Sequence, residues 1–224
     1  MSASESISPV EAEKRAAARA AAELVPDGAR VGLGTGATGA PLLAALAERR
    51  LDITCVATSV ATERAAADLG LRVVAFDALD RLDIAIDGTD QVDPAHWLIK
   101  GGGGAHTREK IVAAAAERFV VIAQAEKVVD ALSAPVPLEL LAYGLAATLR
   151  GLGPVTLREA PRSPDGGVIA DYRGPVDDPP ALAARLAATP GVVDHGLFPP
   201  SLVSDVLVGR TLSCGELVVE HLAV

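Results

Sequence analysis

The sequence predicts an α/β protein: a parallel sheet with helices on both faces, joined to a second, smaller α+β domain of the ferredoxin-like split order. Three observations carry this. Short apolar runs alternate with helical patterns up to about Ala131, and strands that alternate with helices pair in parallel under helical cover. Beyond that point the order becomes β-α-β-β-α-β, the split motif of small α+β units. Half of the chain is apolar but only 3% is aromatic, so Ala, Val, Leu and Ile must form the core, as they do in buried parallel strands.

Each element has a local reason. Residues 1–7 are expected to fray. Ser8-Pro9-Val10-Glu11 is a capping box with proline at the first helical position. An Ala-rich helix therefore runs to about Val25 and stops at Pro26-Asp27-Gly28. Residues 29–34 read as a buried strand, 41–50 as a helix and 53–57 as the next strand. Ser59 caps a helix that runs to Leu69, where Gly70 supplies the stop. Residues 72–76 and 82–86 are strands, 107–118 a helix capped by Thr107, and 119–123 a fifth strand. Ser133-Ala134-Pro135-Val136-Pro137 reads as a linker. The second unit then has strands at 136–140, 154–158, 168–172 and 192–197, with helices at 141–149 and 178–188. Residues 205–208 and 217–222 return to the first sheet. The expected domains are 1–131 with 204–224, and 132–203.

The stretch from Asp87 to Lys110, DGTDQVDPAHWLIKGGGGAHTREK, organises the rest. Asp87 and Asp90 sit where a buried strand ends, and ligands of open α/β sheets bind outside the carboxyl ends of strands. Four consecutive glycines let the backbone approach something closely, at an entropic cost that a functionless loop does not need. A helix starting at Thr107 places Glu109 at the mouth of the same cleft.

A second glycine turn, Gly32-Leu33-Gly34-Thr35-Gly36-Ala37-Thr38-Gly39, contains a literal G-x-G-x-x-G. Dinucleotide binding also requires an acid at the end of the next strand, and that end is Val56-Ala57-Thr58-Ser59. A phosphate loop of the G-x-x-x-x-G-K type requires a lysine where Ala40 stands. What remains is a strand-to-helix turn whose N–H groups, with the hydroxyls of Thr35 and Thr38, can hold one phosphate. Ser59 reads as an ordinary cap and Asp93, before Pro94, as a turn residue. Trp97 reads as an apolar anchor.

The net charge of −9 argues against a nucleic-acid partner, which calls for a basic surface. Cys55 and Cys214 are too few for a disulfide framework, so a reducing cytoplasmic setting is expected. The N-terminal MSASESISPVEAEKR has acids before its first base and no apolar stretch, so neither a secretion leader nor a membrane span is expected. His96, His106, His195 and His221 share no metal-ligand spacing.

Four ordered motifs, Gly34-Thr35-Gly36-Ala37-Thr38, Asp87-Gly88-Thr89-Asp90, Lys100-Gly101-Gly102-Gly103 and Thr107-Arg108-Glu109-Lys110, together resemble the type A ribose-5-phosphate isomerases. The resemblance extends through Pro190-Gly191-Val192-Val193 to Gly196-Leu197-Phe198. It implies interconversion of D-ribose 5-phosphate and D-ribulose 5-phosphate in the pentose phosphate pathway, without metal or organic cofactor. It also implies a Rossmann-like three-layer α/β/α domain with a small α+β domain, and a homodimer. Carried over by motif, Glu109 matches the general base, and Asp87, Asp90 and Lys100 match the other catalytic polar groups. Thr35, Gly36, Ala37, Thr38, Gly88, Thr89, Gly101, Gly102 and Gly103 match substrate-binding positions, as does Lys127 in Ala125-Glu126-Lys127. Four positions depart from the pattern: Ala37 for a usual Ser, Thr89 for Ala, Gln91 for Glu, and His106 for an apolar residue.

The chemistry suits these residue types. Aldose–ketose conversion moves a proton between C2 and C1 through an enediolate, and one carboxylate on one face suffices. A fixed cation and directed N–H groups stabilise the developing charge, a role open to Lys100 and the glycine-loop amides. Asp87 or Asp90 is expected to assist ring opening. A second reading is a non-catalytic sugar-phosphate sensor on the same fold. A sensor has no need of base, lysine and two aspartates together, and calls for a DNA-binding module, whereas the residues before Ala29 read as a single helix.

Overall fold

Ser8 accepts a hydrogen bond from the Glu11 amide and Pro9 opens helix α1 (Pro9–Glu23) of the computed structural model, which describes residues 7–222. The fraying expected of residues 1–7 lies, Ile7 apart, outside them. Ala17, Ala18, Ala21 and Ala22 are buried on one face of α1. Small side chains let this helix lie close on the sheet. A Cβ at Gly209 would come 2.0 Å from the Glu13 carbonyl oxygen, so helix and strand meet backbone to backbone there. The Glu13 carboxylate accepts from the amides of Thr211 (2.8 Å) and Ala125 (3.3 Å), fixing α1 beside the turn at Ala125–Lys127.

The chain continues through β1 (Arg30–Leu33), α2 (Gly39–Arg49), β2 (Thr54–Ala57), α3 (Val60–Asp68), β3 (Arg72–Val73) and β4 (Ile84–Gly88). A short hairpin follows, β5 (Gln91–Val92) with β6 (Leu98–Ile99), then α4 (His106–Ala115) and β7 (Phe119–Gln124). The second unit holds β8 (Val136–Leu140), α5 (Leu145–Leu152), β9 (Val155–Leu157), β10 (Val168–Tyr172), α6 (Pro179–Ala187) and β11 (Val192–His195). The chain ends with β12 (Leu197–Phe198), β13 (Asp205–Thr211) and β14 (Leu217–Leu222).

Three sheets result. The seven-stranded sheet has the order β14-β13-β7-β4-β1-β2-β3, parallel except for the β13–β14 pair. The chain leaves β1 toward β2 on one side and later toward β4 on the other, so the topological switch lies between β1 and β4. Side chains alternate across this sheet. Ile84, Ile86, Val120 and Ile122 pack with α1 and α2, while Ala85, Phe119, Val121 and Ala123 pack with Val112 and Ala113 of α4. These are the three layers expected. The four-stranded sheet has the antiparallel order β11-β8-β10-β9, the strand order of the ferredoxin-like split motif, around Val136, Leu138, Leu140, Leu182 and Leu186.

Several boundaries differ from the sequence expectation. The last small-sheet strand ends at His195, and Leu197–Phe198 pairs instead with β6 in a third sheet, β12-β6-β5. The β5–β6 hairpin is built on an Asx turn, in which Asp93 Oδ1 accepts from the amides of Ala95 and Trp97. Helix α5 starts at Leu145 rather than 141 because Gly144 takes a left-handed φ of +67°, which a helix cannot contain. Strand β3 keeps only two residues before a 3₁₀ turn at Phe76–Ala78. Strand β4 lies two residues later than expected: Asp83 is taken up by the Arg30 amide and guanidinium at its start, which brings Asp87 inside the strand.

Candidate active site

The alternation of β4 places Asp87 on the same face as Ala85, toward α4. Its close neighbour across the switch is β1. A Cβ at Gly34 would stand 1.9 Å from Asp87 Oδ1, so glycine is required there to admit the carboxylate. The Gly88 amide donates to Oδ1 at 2.7 Å. Lys100 follows β6, and its backbone amide donates to Gly196 O at 2.9 Å. Its Nζ reaches 2.9 Å from Asp87 Oδ2 and 3.2 Å from Glu109 Oε2, donates to the Gly88 carbonyl, and stands 5.5 Å from the centre of the Phe198 ring. Glu109 lies in the first turn of α4. Asp87, Lys100 and Glu109 are 5%, 2% and 4% exposed, which makes this a desolvated charge cluster.

Thr107 does not cap α4. Ala105 holds the cap position without a side-chain bond, and the Thr107 hydroxyl donates to Glu139. The helix therefore begins one residue earlier, at His106, and ends at Ala115, where extended backbone at Ala116 starts the approach to Leu82. His106 is the first residue of α4 and is not among the residues that line the cleft. It is fully buried, with both ring nitrogens unpartnered, and it packs beneath Gly101, whose Cβ would come 2.7 Å from His106 Nδ1. Burial pushes its pKa down to about 4, so the ring is neutral.

Burial raises the Glu109 carboxyl to about 8; Asp87 adds to the rise and Lys100 opposes it. Asp87 is raised too, first by burial, against the pull of Lys100. Burial works to lower Lys100, but the two carboxylates outweigh it and hold the ammonium charged. One cation between two carboxylates neutralises one of them, and the other retains a proton easily, so the three titrate as a unit. A carboxylate tuned in this way suits proton transfer near neutral pH.

A cleft of about 400 Å³ opens above this cluster, lined by the glycine turn, Gly88 to Asp90, the glycine loop, Glu109 and Lys127. All the sequence-selected substrate positions meet here, Asp87 from behind Lys100. Their side chains play different parts. The Thr35 hydroxyl is turned into the protein, 2.7 Å from that of Thr58 and 3.1 Å from that of Thr62. The Thr89 hydroxyl donates to Gln91 O and Ile99 O. Gln91 faces away, tying Ser133 through its amide. Asp90 Oδ2 accepts from the Gly102 amide at 2.8 Å, and Gly36 has a φ of +122°, a conformation that favours glycine. Among the described residues, no group of three or more His, Cys, Asp or Glu side chains is placed to hold a metal ion.

Three lining residues escaped the sequence reading: Lys14, Gln124 and Glu126. Lys14 comes from α1, which is held at the cleft by its buried alanine face and by the Glu13 tether. No sequence signal distinguishes it from Arg15. Gln124 ends β7, a strand-end position that could have been suspected from the fold class alone.

Fold and cleft define an α/β acid–base site, at the topological switch of a doubly wound sheet, with cations for a small anionic ligand. Residues 54–212 match the family model for ribose 5-phosphate isomerase A (phosphoriboisomerase A). Ribose-5-phosphate isomerase A of Rhodopseudomonas palustris strain HaA2 is 44% identical over 216 residues, 88% of this chain and 93% of the relative. The crystal structure of ribose 5-phosphate isomerase A from Neisseria gonorrhoeae superposes with a TM-score of 0.88 at 32% identity, over 97% of this chain and 99% of that one. A structure of D-ribose-5-phosphate isomerase in complex with phospho-erythronic acid gives 0.88 at 33% identity, over 96% and 99%. The chain belongs to the ribose 5-phosphate isomerase A family.

Proposed function

We propose that this protein interconverts D-ribose 5-phosphate and D-ribulose 5-phosphate through an enediolate, with Glu109 as the base that carries the proton between C2 and C1. The observation that supports this most is the buried Asp87–Lys100–Glu109 cluster beneath a cleft lined by glycine backbone. Glu109 takes the C2 proton. The negative charge that develops on the substrate oxygen is met by Lys100 and the glycine-loop amides. Of the two aspartates, Asp90 lines the cleft, while both Asp87 oxygens are engaged by Gly88 and Lys100. We therefore assign ring opening to Asp90 and the holding of Lys100 to Asp87. The related isomerase structure with phospho-erythronic acid supports the same reading, since the planar, anionic carboxylate of a phosphorylated sugar acid resembles an enediolate, which is also planar and anionic but carries one oxygen on each of two adjacent carbons. A non-catalytic sensor would have no use for this cluster. The deciding experiment is conversion of ribose 5-phosphate by the purified, chelator-treated protein; no conversion would reject the reading.

The phosphate is assigned to the Thr35–Thr38 turn at the start of α2, with Lys14 and Lys127 as countercharges. Lys127→Ala, and separately Lys14→Ala, should raise KM about tenfold, the scale of a lost charge-assisted hydrogen bond, with kcat little changed. A KM unaltered in both would place the phosphate elsewhere.

The pH dependence has a definite sign. The base acts only when deprotonated, so kcat/KM should climb with pH along a limb of apparent pKa about 8. This lies above the substrate phosphate's second ionisation, about 6. A pH–rate profile whose only carboxylate limb lies near 4.5, where an exposed glutamate titrates, would contradict the assignment.

The same reading places the protein in the cytoplasm, as a homodimer, in the non-oxidative pentose phosphate pathway. The acidic net charge of −9 supports a role without nucleic acid, and among the described residues no helix is long and apolar enough to cross a membrane. The division into units 1–131 with 204–224 and 132–203 belongs to it as well, supported by the separate four-stranded sheet.

A further inference from the structure

Four adjacent glycines are costly to order, since each gives up more backbone freedom than any other residue. Internally, the loop has one turn bond, from the Gly104 amide to Gly101 O at 3.0 Å. The remaining restraints come from two directions. Asp90 takes the Gly102 N–H. Opposite it, Arg158 Nη1 donates to Gly101 O at 2.9 Å and to Gly102 O at 3.0 Å. Arg158 directly follows β9 in the other sheet, and its guanidinium is gripped by Asp171 of β10 through Nε at 3.1 Å and Nη2 at 2.6 Å.

We propose that Arg158, held by Asp171, is a positioning residue that orients the glycine-loop peptides, setting the Gly102 N–H on Asp90 and turning the Gly103 N–H toward the reacting oxygen. The proposal rests on the isomerase reading above. A trans peptide is planar, and its N–H points opposite to its C=O. Drawing the Gly101 carbonyl toward Arg158 turns the Gly102 N–H away from it, and that N–H is found on Asp90. By the same rule, the Gly102 carbonyl on Arg158 turns the Gly103 N–H to the Asp90 side, and Gly103 lines the cleft. The cation on the carbonyl side also polarises both peptides, strengthening their N–H groups as donors. Only a fork serves this purpose, because one guanidinium edge must hold Asp171 while the third nitrogen reaches two carbonyls.

The test is the split between kcat and KM in Arg158→Met, Arg158→Lys and Asp171→Asn, with melting temperature and inhibition by phospho-erythronate measured on each. Arg158→Met should lower kcat about 10- to 100-fold, the scale of displaced oxyanion donors. Inhibition by the planar acid should weaken in proportion, while KM stays within about threefold. Arg158→Lys should not restore kcat, Asp171→Asn should fall between, and added guanidinium should recover part of the Arg158→Met loss. A folded Arg158→Met variant that loses only melting temperature, with kcat and inhibition unchanged, overturns the proposal. Should that variant not fold, Arg158→Lys and Asp171→Asn decide by the same split. Inactive wild-type protein overturns the isomerase reading and this proposal together; active wild type with indifferent variants overturns this proposal alone.

Discussion

Glu109→Gln should lower kcat for ribose 5-phosphate by at least about two orders of magnitude, the usual scale for a lost general base. Glutamine keeps the size of the side chain and can still receive a hydrogen bond from Lys100, but it has no useful basicity. The proposed phosphate site lies at the Thr35–Thr38 turn, away from Glu109, so KM should move much less than kcat. The fold should hold. A buried carboxylate raised to about 8 is close to neutral at working pH, and an amide in its place costs little desolvation. Glu109→Asp is the useful companion, because it retains the base but draws it back by one methylene. It should keep part of the activity that glutamine loses. Steady-state kinetics with both variants would check this, and a folded Glu109→Gln enzyme of near-normal kcat would remove the residue from the mechanism.

Lys100→Met should be worse for the molecule as a whole. It removes the cation that contacts both Asp87 and Glu109 and leaves two buried carboxylates facing each other. Breaking a buried ion pair by deleting one partner costs about 3–5 kcal/mol. The sign of its pH dependence follows from the surviving acids. Their folded pKa values, already raised by burial, should rise further without the ammonium. A raised folded pKa gives stability that is complete below the unfolded value and is lost as pH rises through the folded one. The variant should therefore lose most stability at neutral to alkaline pH and recover part of it as pH falls toward 4.5, the ordinary glutamate value. Catalysis should drop about 10²- to 10³-fold, as for a lost oxyanion stabiliser. Denaturant melts at two pH values, with kcat on the folded fraction, would test both statements. Equal destabilisation at both pH values would mean that Lys100 supports the fold by packing on Phe198 rather than by charge.

The parts of this site that were legible in the sequence are those where a residue type has one physical use. Four consecutive glycines, Asp-Gly at a strand end and a glycine turn before a helix announce backbone approach, and all of them line one cleft or stand directly behind it. Gly34 shows why: its missing side chain is the space that Asp87 fills. Elements with strong local signals, such as the Ser8 and Ser59 caps, fell where expected. The misses are tertiary. Thr107 has the chemistry of a cap, but Glu139 from the other sheet claims its hydroxyl. Gly144 ends one reading of α5 and starts another, because glycine in a helical pattern does not announce the sign of its φ. Arg158 reads as one surface cation among many until β9 carries it to the loop, and Lys14 depends on the Glu13 tether to the Ala125 and Thr211 amides. The third sheet escaped because two-residue strands leave no period to count.

In the proposed mechanism a single carboxylate, Glu109, moves the proton from C2 to C1. Isomerisation of ribose 5-phosphate in deuterated water, followed by proton NMR with wild-type and Glu109→Gln protein, tests it most directly. Wild type should introduce deuterium at one C1 position of ribulose 5-phosphate and wash the C2 proton out of returned ribose 5-phosphate. In Glu109→Gln both exchanges should fall in parallel with kcat. Exchange at C2 as fast in Glu109→Gln as in wild type would contradict it, and would move the base to Asp87 or Asp90.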